Sequence, residues 1–330
     1  MVMEPIDVYP SEAAAPRVTV LMGVYNSPPG MLGEAIESIL SQTFTDFEFL
    51  ILDDGSDREP TLDHLRLQSA RDRRIRFLRE PHRGLTATLN RGLEVARGRY
   101  IARHDADDWS SPERLAKQVE FLDAHPEVDL CGSAVLTHQE NGTRLWRVGM
   151  PESHGEIMTW FPRGNPFVHG ATMFRREVAR AIGGYRETFR CAQDYDFFWR
   201  MAERGGAVNL PETLYHYRYA ASSISARKAS EQLAAHRAIQ ELAEDRRNGF
   251  VEDPDLRLAA AEIELTEGPW LDRALLKQAD HLMLSGRYRQ AWGAYGKLLL
   301  SHPGNPMAWG KLARLGVFRT APFLREACFR

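Results

Sequence analysis

The stretch His104-Asp105-Ala106-Asp107-Asp108 sets three carboxylates within four residues at the mouth of an apolar run, Tyr100 to Arg103. Like charges so close together repel, and a fold gains nothing from that unless a partner relieves it. In an extended segment residues two apart point the same way, so Asp105 and Asp107 are expected to face one side together. Such a pair suits a hard cation, Mg2+ or Mn2+, of the kind held by one or two carboxylates and completed by water and substrate phosphates. A solvated acidic turn, with Asp108 or Ser111 capping the next helix, accounts for the same residues.

Three other groups have chemical capacity. In "LDDGSD", Asp53 and Asp54 close a strand where open α/β sheets place ligand contacts, and could accept hydrogen bonds from a base N–H or a ribose hydroxyl; Asp-Gly-Ser also makes an Asx-type turn readily. Tyr25 and Asn26 close the first strand and could line a nucleoside pocket, as well as serving the turn that must follow. In "CAQDYDFFWRM", Asp194 precedes an aromatic-rich helix that also carries Asp196. Partial desolvation there raises the basicity of a carboxylate, making Asp194 a candidate general base; a helix N-cap is the plainer role. No G-x-G-x-x-G follows the first strand and no G-x-x-x-x-G-K-[ST] occurs, so phosphates would be neutralised by metal and basic side chains rather than by a glycine cradle.

The elements that must position these groups read as an α/β pattern. The 330 residues are 43% hydrophobic and 26% charged, with a net charge of −3, which supports a real core and gives no basic excess for nucleic acid. Cys131, Cys191 and Cys328 are odd in number and far apart, fitting thiols in a reducing compartment. Residues 1–16 read as a disordered lead-in without a secretory pattern, and no apolar run reaches the ~18 residues of a membrane span. The expected location is cytoplasmic, or peripheral at the inner face of the cell membrane.

Strands are expected at 18–25, 48–54, 99–103, 128–138, 170–176 and, as a late edge-like strand, 212–220. Helices between them are marked by Leu32, Ala35, Ile36 and Ile39, by Leu85, Leu89, Leu93 and Ala96 ending near Gly98, and by Leu115, Val119 and Leu122 ending at Pro126; a further helix is expected over 194–204. The fold class is α/β, a doubly wound, mixed and mostly parallel sheet flanked by helices over 17–225, with an all-helical extension over 226–330. Within the extension, Ala279, Gly286, Tyr288, Ala291, Tyr295 and Pro303 match tetratricopeptide spacing, predicting a helical hairpin near 277–314. At the C-terminus, Phe318, Phe323, Leu324 and Phe329 interleave with Arg319, Arg325 and Arg330, as in an interfacial helix.

Taken in order, "VTVLMGVYN", "ILDDGSD", "GLTATLNRGLEVARGRYIARHDADD", "NPFVHGATMFRR", "GGY" and "AQDYDFFWRM" resemble the family-2 inverting glycosyltransferases of the GT-A fold, over about residues 17 to 225. The resemblance implies a nucleotide-sugar donor, with UDP-sugars the commonest, bound across the C-terminal edge of the sheet. It implies a Mn2+ or Mg2+ ion bridging the diphosphate to a D-x-D motif, and a saccharide or lipid-linked saccharide acceptor in cell-surface polysaccharide synthesis. By position, Asp53 and Asp54 would hold base and ribose, Asp105 the ribose or metal shell, Asp107 the metal, and Asp194 would be the base. His169, Asp196 and Arg218 would be donor or acceptor contacts. Departures from the family pattern are Gly23 for a proline, Gln193 for a Glu before the base, and Ala220 for a His after the Tyr217-Arg218 pair, whose loss would weaken metal binding if that His serves the metal in relatives. Two rivals are a sugar nucleotidyltransferase, for which a basic glycine-rich loop is expected where "NSPPGML" stands, and a catalytically silent nucleotide-sugar-binding protein acting through its helical tail.

Overall fold

The computed structural model describes residues 15–220, 223, 228–264, 269–303 and 307–313. Its elements are β1 (Val18–Val24), α1 (Pro29–Leu40), β2 (Phe47–Asp54), α2 (Glu59–Arg71), β3 (Ile75–Glu80), α3 (Leu85–Val95), β4 (Tyr100–Arg103), β5 (Trp109–Ser110), α4 (Arg114–Ala124), β6 (Val128–Gln139), β7 (Arg144–Val148), α5 (His154–Trp160), β8 (Met173–Arg175), α6 (Arg176–Ala181), α7 (Gln193–Arg204) and β9 (Gly206–Tyr219). Four helices follow: α8 (Ala229–Asn248), α9 (Pro254–Glu264), α10 (Pro269–Leu284) and α11 (Tyr288–Ser301).

The strands form one sheet in the order β3-β2-β1-β4-β8-β6-β9-β5, with β7 paired to β6. The β3-β2-β1-β4 half is parallel, and β8 then runs antiparallel to both β4 and β6. All eight residues of β2 are buried, and Val18, Val20, Met22 and Val24 of β1 belong to the same apolar core as Leu32, Ala35, Ile36 and Ile39 of α1. Near-continuous apolar strands of this kind are what a sheet covered on both faces requires. Because β1, β2 and β4 are parallel, their C-terminal ends lie on one edge, which brings Tyr25, Asp53 and the segment after Arg103 to the same side.

Several elements differ from the sequence expectation. The strand expected at 170–176 is shortened to Met173–Arg175, because His169–Ala171 forms a 3-10 turn. The late strand begins earlier, at Gly206, continues through Pro211, and is interior: β6 and the two-residue β5 flank it. The segment 138–168 carries β7 and α5, the latter closed by a capping box in which Ser153 and Glu156 bond each other's backbone N–H.

The described residues divide into two compact units, one up to Val135 together with Gly149–His216, the other Leu136–Val148 together with Tyr217 onward. Composition alone suggested a boundary near 225. In the second unit α10 and α11 pack as a hairpin with Ala279, Met283, Ala291, Tyr295 and Leu298 buried in its core, and Gly286 (φ +85°) turns between them. The Tyr288 hydroxyl accepts a 2.7 Å bond from Gln139 Nε2 of the same unit's strand β6. Cys131 and Cys191 are buried free thiols. Cys328, the aromatic and basic tail at 317–330 and lead-in residues 1–14 lie outside the described residues. Among the described residues no helix is long and apolar enough to cross a membrane.

Gly98, after α3, lets the chain cross directly over β1: a Cβ there would lie 2.3 Å from the Thr19 nitrogen and 2.6 Å from the Val18 carbonyl carbon. Both contacts are to backbone, so neither partner can swing away. Gly98→Ala is expected to lower unfolding stability by about 1–3 kcal/mol in urea titration.

Candidate functional site

β4 delivers the acidic segment from a base of buried charge. Arg103, its last residue, is 1% exposed and donates to Asp105 Oδ1 at 2.6 Å and to the Leu21 carbonyl at 3.3 Å. Arg114, fully buried at the start of α4, donates to the carbonyls of Arg103 (2.8 Å) and Thr172 (3.0 Å), and its guanidinium lies 5.1 Å from the Tyr215 ring. Burial pulls the Arg114 pKa down to about 10, so it is still charged at neutral pH. His104 is enclosed beside these two cations; burial first, then Arg114 and Arg103, push its pKa well below the usual histidine value and keep it neutral.

The acidic segment itself is not extended. Ala106 and Asp107 form a turn, with the Asp108 N–H donating to the Asp105 carbonyl at 3.5 Å. The strand argument for Asp105 and Asp107 facing one side therefore does not apply, and a different alternation replaces it. Asp105 and Asp107 keep part of their surface open, while Ala106 and Asp108 are buried. The backbone N–H of Asp105 bonds the Tyr215 hydroxyl at 3.2 Å, which pins the segment to β9.

The chain from Asn165 to Ala171 closes in on this loop. At Gly170 a Cβ would meet the Tyr215 hydroxyl at 2.0 Å and Asp105 Oδ2 at 2.7 Å, so only glycine allows that approach. Next to it, His169 Nε2 bonds the Tyr185 hydroxyl at 3.0 Å. Burial, reinforced by Arg103, holds the His169 pKa well below its usual value, so it too is neutral.

Asp194 stands in the first turn of α7, and the chain enters that helix through Ala192, which has a left-handed φ of +57°. Among the described residues only Asn26 shares that conformation without being glycine. Such strain costs of order 1 kcal/mol or more, and persists here where two site loops turn. Asp194 is partly exposed and accepts from Asn165 Nδ2 at 2.8 Å. Its pKa is raised to about 6: burial is the largest cause, the backbone N–H groups of Tyr195 and Asp194 oppose it, and the Asp105 charge adds to it while Arg103 subtracts. Asp194, Asp105 and Arg103 thus share one electrostatic neighbourhood, together with Tyr185, whose hydroxyl pKa is raised by burial.

The remaining expected residues take more structural positions. Asp53 has no exposed surface; its carboxylate accepts from the Ser56 N–H (3.2 Å) and lies 3.3 Å from Arg79 Nε, while burial raises its pKa. Asp54, 4% exposed, accepts from the Arg83 and Gly84 N–H groups at 2.8 and 3.0 Å. Both shape loops, and neither offers surface directly to a base or ribose in this structure. The side chain of Asn26 is likewise committed: it donates to Asp57 and accepts from the Asp57 and Arg58 N–H groups, tying the loops after β1 and β2 together. Tyr25 remains open, 48% exposed and stacked on His82 at 4.1 Å between ring centroids.

Asp196 serves as a brace in this structure: it is fully buried between Arg186 (3.2 Å) and Arg200 (2.8 Å). Helical spacing accounts for this, since residues two apart at the start of a helix leave on different faces. Arg218 is buried on the part of β9 that belongs to the second unit. Ala220 is also buried there, and its carbonyl is bonded by His281 Nε2 at 2.8 Å.

Sequence reasoning missed Arg103 and Asn165. Arg103 closes the apolar run that delivers the acidic segment, where a cation signals either a buried partner or the end of the strand. Asn165 opens the Asn-Pro-Phe segment, where a turn-forming role explains it by sequence alone.

Metal ligation can be judged from the donor set. No group of three or more His, Cys, Asp or Glu side chains capable of holding a metal is present among the described residues. One partly open carboxylate at Asp107, with Asp105 tied to Arg103, fits a Mg2+ or Mn2+ ion that draws its remaining ligands from water and a diphosphate, and does not fit an all-protein cage.

The sequence matches the family described as Glycosyl transferase family 2 over residues 19–183. It is 38% identical over 210 residues to the putative glycosyltransferase EpsE of Bacillus subtilis (strain 168), covering 62% of this chain and 74% of that protein. To the amylovoran biosynthesis glycosyltransferase AmsE of Erwinia amylovora it is 32% identical over 217 residues, covering 64% of this chain and 79% of that protein. Among solved structures, the mannosyltransferase PcManGT from Pyrobaculum calidifontis, in complex with GDP-Man and Mn2+, aligns with a TM-score of 0.55 at 20% identity, over 99% of this chain and 92% of that chain. That last likeness is one of fold, a GT-A glycosyltransferase architecture.

Removing the charge of Asp196 would strand two arginines. Asp196→Asn is expected to destabilise the protein by about 3 kcal/mol in chemical denaturation, a loss a surface ligand contact would not produce.

Proposed function

This chain belongs to glycosyl transferase family 2, and on that premise we propose that it is an inverting enzyme which moves a sugar from a nucleoside-diphosphate donor to a saccharide or lipid-linked saccharide hydroxyl. A UDP-sugar is the first donor to test, with GDP its competitor because the PcManGT neighbour carries GDP-Man. Cell-surface polysaccharide synthesis is the setting, supported by the amylovoran role named for AmsE. A lipid-linked acceptor would be met at the cytoplasmic face of the membrane, where the tail at 317–330 would give peripheral contact.

The observation that carries the reading is Asp194: a partly open carboxylate whose pKa, about 6, is set by burial near the Asp105 charge. A base has to be ionised at working pH yet still attract a proton, and a carboxylate lifted toward neutrality meets both needs. Asp194 takes the proton from the acceptor hydroxyl as that oxygen attacks the anomeric carbon from the face opposite the leaving nucleoside diphosphate. Attack from one face inverts the configuration, so an α-linked donor yields a β-linked product. Asp107 would hold the divalent cation and Asp105, steadied by Arg103, would serve the ribose or the cation's outer shell. When bound, such a cation supplies positive charge to the leaving diphosphate. Tyr25 and His82 offer a stacked aromatic rim to the nucleobase, on loops that Asp53 and Asp54 hold in shape. Neutral His169 adds a polar wall without a competing charge.

Calorimetric titration of UDP and GDP, with and without Mn2+, into the wild type and Asp107→Ala tests the donor side. Manganese-dependent binding that the substitution weakens at least tenfold is expected. No nucleotide binding under any condition would leave the acidic segment a structural turn, and binding without turnover on any donor would favour the silent binding protein. On the acceptor side, the rate is expected to fall as pH drops through about 6, because protonation removes the base. Asp194→Asn should abolish turnover while leaving nucleotide affinity unchanged.

A further inference from the structure

Asn165 is the first residue of the turn-forming Asn-Pro-Phe segment that leads out of the 3-10 turn at Phe161–Arg163. Its amide is orientated by the backbone: Oδ1 accepts from the Phe167 N–H at 3.1 Å, so Nδ2 must point the other way, onto Asp194 Oδ2 at 2.8 Å. The segment cannot easily drift. The Pro166 carbonyl accepts from Asn209 Nδ2 at 3.0 Å, and Phe167 is buried against Phe161 and Phe198, at 6.3 and 5.4 Å between ring centroids.

The chemical type of the donor matters. A lysine or arginine in this place would hold the carboxylate and also depress its basicity. A neutral amide fixes the rotamer with a smaller loss of proton affinity, and the carboxylate's other lone pairs are left for an incoming hydroxyl. The Asp194 carboxylate also accepts from the backbone N–H groups of Asp194 and Tyr195, as a carboxylate in the first turn of a helix commonly does, and the Asn165 amide holds it from the loop side. The other groups that face Asp194 are the Asp105 carboxylate, the Arg103 guanidinium and the Tyr185 hydroxyl.

We propose that Asn165 is a positioning residue for Asp194, aiming its carboxylate at the acceptor hydroxyl through an orientated side-chain amide bond. The inference rests on the reading of Asp194 as the base, but the contact itself can be measured apart from it.

The test uses the full chain labelled with carboxyl-13C aspartate, with the Asp194 resonance identified by its loss in Asp194→Asn. Asn165→Ala removes the donor, and the Asp194 titration midpoint is expected to move up by about one pH unit, a tenfold gain in proton affinity. Asn165→Asp keeps the volume and adds a like charge, so it should move the midpoint further in the same direction. With whichever UDP- or GDP-sugar turns over, the acid limb of the rate should follow these midpoints, and kcat should fall about tenfold at an unchanged donor KM. A merely structural asparagine would lower the melting temperature and leave both the midpoint and the acid limb where they are; that result, in either folded variant, overturns the proposal. Retained turnover in Asp194→Asn would instead overturn the base assignment, while the shifted midpoint would still report the contact.

Discussion

Charge balance beneath the acidic edge is the constraint on which the rest of this site depends. Asp105 and Asp194 repel each other, and a sheet edge bearing only carboxylates would be loosened by such repulsion. The fold answers with cations below the surface: Arg103 against Asp105 at 2.6 Å, and Arg114 behind it, bonded to the carbonyls of Arg103 and Thr172. An unpaired guanidinium buried so deeply would itself destabilise the fold by several kcal/mol, so Arg103 requires Asp105 as much as the reverse. The outcome is an acidic edge on which Asp105 is tied to Arg103 and Asp194 to Asn165, while Asp105, Asp107 and Asp194 all keep part of their surface exposed.

Geometry then distributes these groups. Parallel pairing of β1, β2 and β4 gathers the loops after them on one edge, while the antiparallel turn-back at β8 brings the His169 turn down onto Asp105, an approach that Gly170 alone permits. The entry to α7 through the left-handed Ala192 sets where Asp194 emerges. Asn26 and Ala192, the two non-glycine residues in that conformation among the described residues, open the nucleoside and acceptor sides respectively in the proposed mechanism. Strain at such positions is tolerated only where surrounding contacts over-determine them. Asn26 shows those contacts directly, with three side-chain bonds to the loop after β2.

The sheet was legible because buried parallel strands and their crossover helices repeat apolar residues at regular spacing, as in β1, α1, β2 and α3. The segment 138–168 was not, because β7 alternates only weakly and α5 is short, held by its Ser153–Glu156 capping box rather than by an apolar stripe. For β9, the expected edge-like strand at 212–220 extends back to Gly206 because pairing between β6 and β5 carries it through Pro211, a residue that usually marks strand edges. At the site, chemical type located the right segments but not which side chains stay open. Asp53, Asp54 and Asp196 share the composition of ligand contacts, and each is drawn inside by partners that only folding supplies: the Ser56 N–H, the Arg83 and Gly84 N–H groups, and two arginines. Asn165 became visible only once α7 and the Asn-Pro-Phe turn were brought together in space.

The central claim is that the edge formed by the loops after β1, β2 and β4 is where a metal and a nucleoside diphosphate meet the chain. Crystals grown with UDP and Mn2+, with diffraction recorded at an anomalous wavelength for manganese, test it most directly. The account predicts a manganese peak against the Asp107 carboxylate, joined to the diphosphate, with the base lying along Tyr25 and His82. Manganese and nucleotide bound away from that edge, with residues 104–108 untouched, would contradict it.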